Sequence, residues 1–521
     1  MRSESKMRVN QWIVLLTIVS GLTVVTATQA KVTAAEAARL GADLTPVGAL
    51  AAGNAEGTIS EWVGSRNFDD AVKNQTPQSL EALRQHYEEL RAKAPQDFDL
   101  LMKNLDSLSI DNYPIVNQQI DQIDAKLPKE VQDLSGKLRK ELGGGGRYEK
   151  PLFIISRNNL AKYTEHLTAG QKAMFAKYAD YTMVVYPTLR SAYFPDAINQ
   201  ATIKNAASAE LKGTDELSGA VLGFPFPIPK TGAEVIWNHK MSYRGTAIRR
   251  YNNQAIVKPD GSYVISKLIE DLKFKYANLK EDNTGTKILF YYLSRVLSPA
   301  RVAGQILLVH ESSGAGGSGR DAWLYNPGLG RVNRAPDVGY DNPSTGSDGE
   351  QFNDQIDVFN GALDRYEWKL LGKKEIYIPY NSYFLISPLV KYKDIIRPGH
   401  VNQNLLRYEL HRVWFVDATL KAGLRHQFKR RTFYVDEDGW AIAAVDCYDN
   451  RDQLWKVQES ELVTAPFIPI LTGVAEIIYD LQSSRYFVTA LQNEDKFVDF
   501  RINFKDEYFA PGDLGRRAQT Q

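Results

Sequence analysis

Gly314-Ala315-Gly316-Gly317-Ser318-Gly319 spells G-x-G-x-x-G after a strand-like run, Gln305–His310. That pattern binds a dinucleotide pyrophosphate only when the last glycine opens a helix whose N–H groups face the phosphates. Here Arg320-Asp321-Ala322-Trp323-Leu324-Tyr325-Asn326-Pro327-Gly328 follows, a short strand ending in a turn with no room for a crossover helix. Asp337 stands near the distance of a ribose-binding acid, and Arg320 and Asp321 stand where a phosphate loop needs Lys and Ser/Thr. The segment reads as a hairpin loop. Gly316-Gly317-Ser318-Gly319-Arg320 also fails the nucleophile elbow G-x-S-x-G at its last position.

Histidines stand at 86, 166, 239, 310, 400, 411 and 426, and none pairs at a metal-binding spacing such as H-E-x-x-H. His310-Glu311 and His411-Arg412 fall in strands, where neighbours point to opposite faces. Each histidine reads as a hydrogen-bonded surface or sheet residue. Cys447, the single cysteine, lies between Asp446 and Tyr448 with no adjacent base, which describes an inert packing residue. It excludes disulfide frameworks and cysteine-ligated clusters. Asp348–Asp357 lacks the order of a calcium loop and reads as solvated. No catalytic residue, metal ligand or cofactor is assigned, and a binding protein is favoured over an enzyme.

The aromatic excess remains. Phe, Trp and Tyr make up 11% of 521 residues, with 27 tyrosines and 8 tryptophans. Trp237, Tyr243, Trp323, Tyr325, Trp368, Trp414, Trp440 and Trp455 lie in or beside strand-like segments. They read either as a large core or as the lining of a cavity for an apolar ligand. On the second reading Trp237, Tyr243, Trp323, Tyr325, Trp414 and Trp440 are the candidate ligand-binding residues.

The elements that must hold them follow from punctuation and period. Lys258-Pro259-Asp260-Gly261, Asn326-Pro327-Gly328 and Asp436-Glu437-Asp438-Gly439 are tight turns between alternating strands. Strands joined this way, without a helix between each pair, make an antiparallel meander. Ala169–Lys177 is a helical stretch before it, and Gly223-Phe224-Pro225-Phe226-Pro227-Ile228-Pro229 is a rigid extended connector. Between Thr76 and Leu142 apolar residues recur at helical spacing in four sets parted by Pro95, Pro114 and Pro128, and Gly143–Gly146 closes the module as a hinge.

Arg2, Lys6 and Arg8, the apolar run Trp12–Val25 and Thr28-Gln29-Ala30 have the order of a secretory signal peptide cleaved after Ala30. Removing it takes the formal charge from +1 to about −1. The 63 Lys+Arg against 62 Asp+Glu give no excess for nucleic acid. Val463–Ile478 is the nearest later approach to a membrane span, and Pro466, Pro469 and Glu476 break it. A soluble periplasmic product is expected, not an integral membrane protein. The domain reading is a signal peptide (1–30), an N-terminal segment of the main domain (31–67), a helical insertion with its hinge (68–146) and a β-rich domain (147–521).

Several segments together resemble a known family. They include Leu44–Gly48, Gly53–Ile59, Tyr186-Pro187-Thr188, Phe224–Pro229, Val235–His239, Tyr243-Arg244-Gly245, Trp323–Gly328, Arg334–Asp337 and Arg430–Trp440. The set is similar to the Gram-negative periplasmic family catalogued as domain of unknown function 1329, described as outer-membrane lipoprotein-sorting-like. The resemblance implies an α+β fold related to the lipoprotein carriers and receptors: a curved antiparallel half-barrel with helices plugging its concave, apolar side. The insertion 68–142 and the loop Ser312–Gly319 depart from the family pattern.

The resemblance also implies a carrier or chaperone for a hydrophobic small molecule or lipid; tyrosine hydroxyls at the rim would orient the polar head. It would serve envelope lipid or lipoprotein transport alongside an envelope transporter or outer-membrane protein. Two rivals stand beside it: a non-catalytic adaptor of an envelope complex docked through 68–142, and a lipid- or sterol-modifying enzyme.

Overall fold

Alternating strands parted by short polar turns lay down most of the structure, a computed structural model. It describes residues 32–64, Lys129, 151–278, 288–313, 319–335, 340–386, 390–464, 469–496 and 498–519. The export segment, the helical module with its hinge and most of the glycine-rich loop lie outside the described residues.

The strands are β1 (Phe153–Ile155), β2 (Met183–Val185), β3 (Glu210–Lys212), β4 (Glu216–Ser218), β5 (Ala247–Val257), β6 (Tyr263–Phe274), β7 (Ile288–Ser298), β8 (Ile306–Ser312) and β9 (Arg320–Asn326). They continue as β10 (Arg331–Arg334), β11 (Tyr366–Pro379), β12 (Tyr408–Leu420), β13 (Arg430–Asp436), β14 (Ile442–Tyr448), β15 (Leu454–Thr464), β16 (Leu471–Asp480) and β17 (Tyr486–Leu491). The helices are α1 (Ala34–Ala37), α2 (Ala169–Lys177), α3 (Asp196–Ser208), α4 (Gly232–Lys240), α5 (Tyr392–Ile395) and α6 (Leu514–Gln519).

All strands but the β3–β4 hairpin join one curved, open sheet of 15 strands in the order β1-β2-β12-β13-β14-β15-β16-β17-β5-β6-β7-β8-β9-β10, with β11 also paired to β12. Two meanders, β12–β17 and β5–β10, meet where β17 pairs with β5. Every pairing is antiparallel except a single parallel step of β12 on β2. The turns Lys258–Gly261, Asn326–Gly328 and Asp436–Gly439 fall where their residues place them, between β5 and β6, β9 and β10, and β13 and β14.

The β12–β17 half is covered on both faces. On one, α4 packs on β11 and β12 over Val416, Phe433 and Val445. On the other, α2 lies on β14 and β15 over Val457, Ile477 and Tyr479. Phe504, Phe509 and Leu514 cover Tyr291, Leu308 and Tyr325 in the remaining half.

Helix α4 was not legible as a helix. Eight of its nine residues are buried, so it shows no amphipathic stripe, and Trp237 rides on it rather than on a strand segment. Thr231 caps it, accepting the Glu234 N–H while the Glu234 carboxylate takes the Thr231 N–H.

Helix α2 begins with the same device. Thr168 Oγ1 accepts the Gln171 N–H at 3.0 Å, and the Gln171 side chain accepts the Thr168 N–H at 3.1 Å. Its next two free N–H groups, of Ala169 and Gly170, donate to the Asp446 carboxylate of β14 at 3.1 and 2.8 Å. A Cβ on Gly170 would lie 2.3 Å from Asp446 Oδ1 and 2.6 Å from Val457 Cγ1. Gly170→Ala therefore lifts α2 from the sheet, and the expected loss is about 1–3 kcal/mol despite alanine's better helix propensity. Urea unfolding checks this; an unchanged or raised midpoint would show that α2 is not seated through this contact.

Candidate functional site

Period-two alternation puts Ile256 of β5, Val264, Ser266 and Leu268 of β6 and Val296 of β7 on one face, because Ile256 pairs with Val264 and Leu268 with Val296. Pro299, Arg301 and Val302 follow β7 along one side, and Thr345, Gly346 and Asp348 rise on another. Between them lies a groove of about 190 Å3 with an aliphatic floor. Val264 stays 54% exposed in it. Gly346 adopts φ +85°, which lets the backbone pass close over Gln254 and Ser266. Gln254 faces Ser266 in the register, and its buried side-chain oxygen accepts no hydrogen bond. The groove thus offers an apolar floor, a rim carrying Arg301 and Asp348, and an unused acceptor beside it.

The six aromatic candidates lie elsewhere. Trp237, Tyr243, Trp414 and Trp440 come together in one core. Trp414 stacks on Trp440 with centroids 5.8 Å apart, Trp440 Nε1 donates to the Val47 carbonyl at 2.9 Å, and Trp237 Nε1 donates to the Thr214 carbonyl at 2.8 Å. Trp323 and Tyr325 belong to a separate core with Phe504 and Phe509. None of the six is among the residues lining the groove.

A second concentration of chemistry surrounds the Asp436–Gly439 turn. Arg190, 1% exposed, grips Asp438 through Nε at 2.9 Å and a terminal nitrogen at 2.6 Å. Its remaining N–H groups donate to the carbonyls of Leu50, Ala51 and Ser60. Arg412 donates to Glu437 at 3.0 Å and to the Ala52 carbonyl at 2.8 Å. His411 stands among three carboxylates: Nε2 is 3.1 Å from Glu409, and Nδ1 is 3.5 Å from Asp436 and 3.8 Å from Asp438.

Burial opposes the His411 imidazolium, but the neighbouring Asp436 and Glu409 carboxylates outweigh it and raise its pKa to about 9. Burial pushes the Asp436 carboxyl up, whereas Arg190 overcomes the same penalty at Asp438 and brings it down. Sequence spacing assigned no metal ligand and gave no hint of this cluster, because its members come from two strands, a turn and the segment before α3. Cys447 is fully buried, and desolvation pushes its thiol up to about 12, which keeps it inert.

Beneath α2 the chemistry is reversed, since acids are buried with no cation among their hydrogen-bond partners. Asp446 accepts from α2 and from the Tyr434 hydroxyl at 3.0 Å. Glu459 accepts from Gln171 at 3.2 Å and Tyr408 at 3.2 Å, and Glu461 from Ser382 at 2.7 Å. Desolvation pushes Asp446 up to about 6 and Glu459 up to about 7; Glu461 rises well above the carboxylate range, with Glu459 adding repulsion. Glu459 and Glu461 share one face of β15, and the packing of α2 and Ser382 closes it.

The two clusters give opposite expectations. Arg190→Met leaves Asp438 buried without its main partner and should cost about 3–5 kcal/mol. The raised acids under α2 hold protons more tightly in the folded than in the unfolded chain. Their contribution is therefore intact below the ordinary carboxylate pKa and is lost as pH rises through about 6 to 7. Glu459→Gln mimics the protonated acid. It should leave stability near pH 4.5 unchanged and raise it near pH 8 by about 2–3 kcal/mol. Urea midpoints at the two pH values decide; a loss at pH 8 would mean the carboxylate is compensated.

Comparison with known proteins places this architecture. The model of the family "Protein of unknown function (DUF1329)" matches residues 154–515. The uncharacterized protein PA3922 of Pseudomonas aeruginosa is 40% identical over 494 residues, covering 94% of each chain. A solved DUF1329 family protein from Desulfovibrio piger is 18% identical and covers 54% of this chain and 97% of its own, with a TM-score of 0.38. A putative outer membrane lipoprotein-sorting protein domain from Vibrio parahaemolyticus is 14% identical, covering 55% and 98%, with a TM-score of 0.39. The LolA superfamily protein NE2245 from Nitrosomonas europaea is 12% identical, covering 54% and 98%, with a TM-score of 0.34. Likenesses of that size carry no argument about function.

Proposed function

The chain belongs to the DUF1329 family, and from that premise and the groove on β5–β7 we propose that it is an exported carrier of a hydrophobic ligand. The observation that carries this reading is the aliphatic floor left open between covered parts of the sheet. A groove of about 190 Å3 is comparable to the ~150 Å3 apolar cavity that accepts benzene, so it takes one chain end or ring and leaves the remainder on the rim. Ile256, Val264, Leu268 and Val296 bury the apolar part, each Å2 removed from water contributing about 25 cal/mol. Arg301 and Asp348 at the rim suit a polar head.

Residues 1–30, read as a signal peptide, support a periplasmic address, and no described helix is long and apolar enough to cross a membrane. Delivery would then need an envelope transporter or outer-membrane protein as partner. Residues 68–142, read from the sequence as a helical insertion, would be its docking element.

The test is to purify the exported chain from the periplasm without detergent and extract it for lipid mass spectrometry. One stoichiometric apolar species is expected in the wild type. Val264→Glu places a charge on the floor at a solvent-reached position, so folding should persist while bound ligand falls at least about tenfold. An empty wild type that also refuses added fatty acids and lipopeptides would overturn the carrier reading, as would an equal load on the variant.

A further inference from the structure

We propose that His411, Asp436 and Asp438 bind one divalent transition-metal ion, zinc by preference. One imidazole nitrogen and two carboxylate oxygens lie within 4.8 Å of one another on three buried residues. The His411 Nδ1 separations of 3.5 Å from Asp436 Oδ1 and 3.8 Å from Asp438 Oδ2 exceed the hydrogen-bond range of about 2.7–3.2 Å. They are close to the edges of a tetrahedron whose corners sit about 2.0–2.2 Å from a shared zinc ion, roughly 3.3–3.6 Å.

The decisive observation is Asp436, which is fully buried. Its Oδ2 accepts the Gly439 N–H at 2.8 Å and the Tyr380 hydroxyl at 3.2 Å. Its Oδ1 accepts no hydrogen bond and faces His411. A buried carboxylate oxygen left in that state is costly unless something positive completes it.

The surroundings of His411 fit the same role. Its Nε2 pairs with Glu409, the outer carboxylate that orients a metal-binding imidazole. Glu409 is itself fixed by Arg407 at 2.9 Å, Asn381 at 2.7 Å and the Leu189 N–H at 2.6 Å. The Tyr380 ring lies against the imidazole with centroids 4.0 Å apart. Mixed imidazole and carboxylate ligands suit zinc or manganese over calcium or magnesium. With its three protein ligands buried, the site ties β12 to the β13–β14 turn and is independent of the groove.

The experiment uses the full chain, exported and purified without a polyhistidine tag or chelator, and measures metal by inductively coupled plasma mass spectrometry. About one equivalent of zinc or manganese per chain is expected. Asp436→Asn and His411→Gln should each fall below about a tenth of an equivalent. Should those variants fold poorly, the wild type alone decides: denatured with chelator and refolded with zinc, it should melt several degrees above the same protein refolded with magnesium. Refolded with cobalt(II), it should show the visible d–d bands of a tetrahedral site. A wild type that holds no metal after refolding, or variants that hold as much as it does, would overturn the proposal and leave an ion-pair network.

Discussion

One buried guanidinium organises the molecule. Arg190 donates to both oxygens of Asp438 and to three backbone carbonyls between Leu50 and Ser60, which ties the N-terminal segment to the β13–β14 turn across the whole sequence. A buried ion pair of this kind adds little net stability, because desolvation offsets the Coulomb attraction. What it supplies is uniqueness: no other position of Leu50–Ser60 would satisfy the five donors of Arg190. Arg412 repeats the arrangement one layer out, holding Glu437 and Ala52. Trp440 follows from it. Its φ of +59° is tolerated because the turn is fixed on both sides, by Asp436 accepting the Gly439 N–H and by Val47 accepting the indole N–H. The stacked pair Trp414–Trp440 and the edge of Phe224 then build the wall of the main core.

Much of this was legible where the determinant is local. Lys258–Gly261 and Asp436–Gly439 place their turns through proline, aspartate and glycine, and Ala169–Lys177 declares a helix through its cap and spacing. The antiparallel meander followed from those turns. What could not be read depends on contacts distant in sequence. Helix α4 is buried nearly all round, so Val235-Ile236-Trp237-Asn238-His239 carries no 3.6-residue period. Glu459 and Glu461 are interior only because α2 and Ser382 pack on them. His411, Asp436 and Asp438 meet because β12 pairs with β13 in one register, Val413 opposite Asp436. The groove was invisible for the same reason, since Thr345 and Gly346 belong to a segment with no strand pattern at all.

The two polar clusters show how the fold treats buried charge on either side of one sheet. Around Arg190 every carboxylate meets a cation or an imidazole, and hydrogen-bond geometry fixes the chain. Beneath α2 the carboxylates meet hydroxyls and amides, so the same residue type is held by its proton. The first arrangement is held by opposite charges. The second weakens as its protons leave, and it lies where α2 rests on the sheet.

The position of the groove follows from where coverage stops. Residues 350–358 are held on β15 and β16 by Lys456 to Glu350 at 3.0 Å, Gln355 to Gln458 at 3.2 Å and the Val358 N–H to Glu476 at 3.1 Å. Each contact joins the covering segment to a strand of the β12–β17 meander. Just before it, at Thr345, Gly346 and Asp348, the chain crosses onto β5 and β6 and covers only the border of their face. Val264 and its neighbours are left open there. Polar anchoring of one segment on one half of the sheet is thus what shapes the apolar floor on the other. An opening built this way needs no strained element to keep it, because the lysine, glutamine and glutamate contacts that hold its wall would have to break before the wall could close over it.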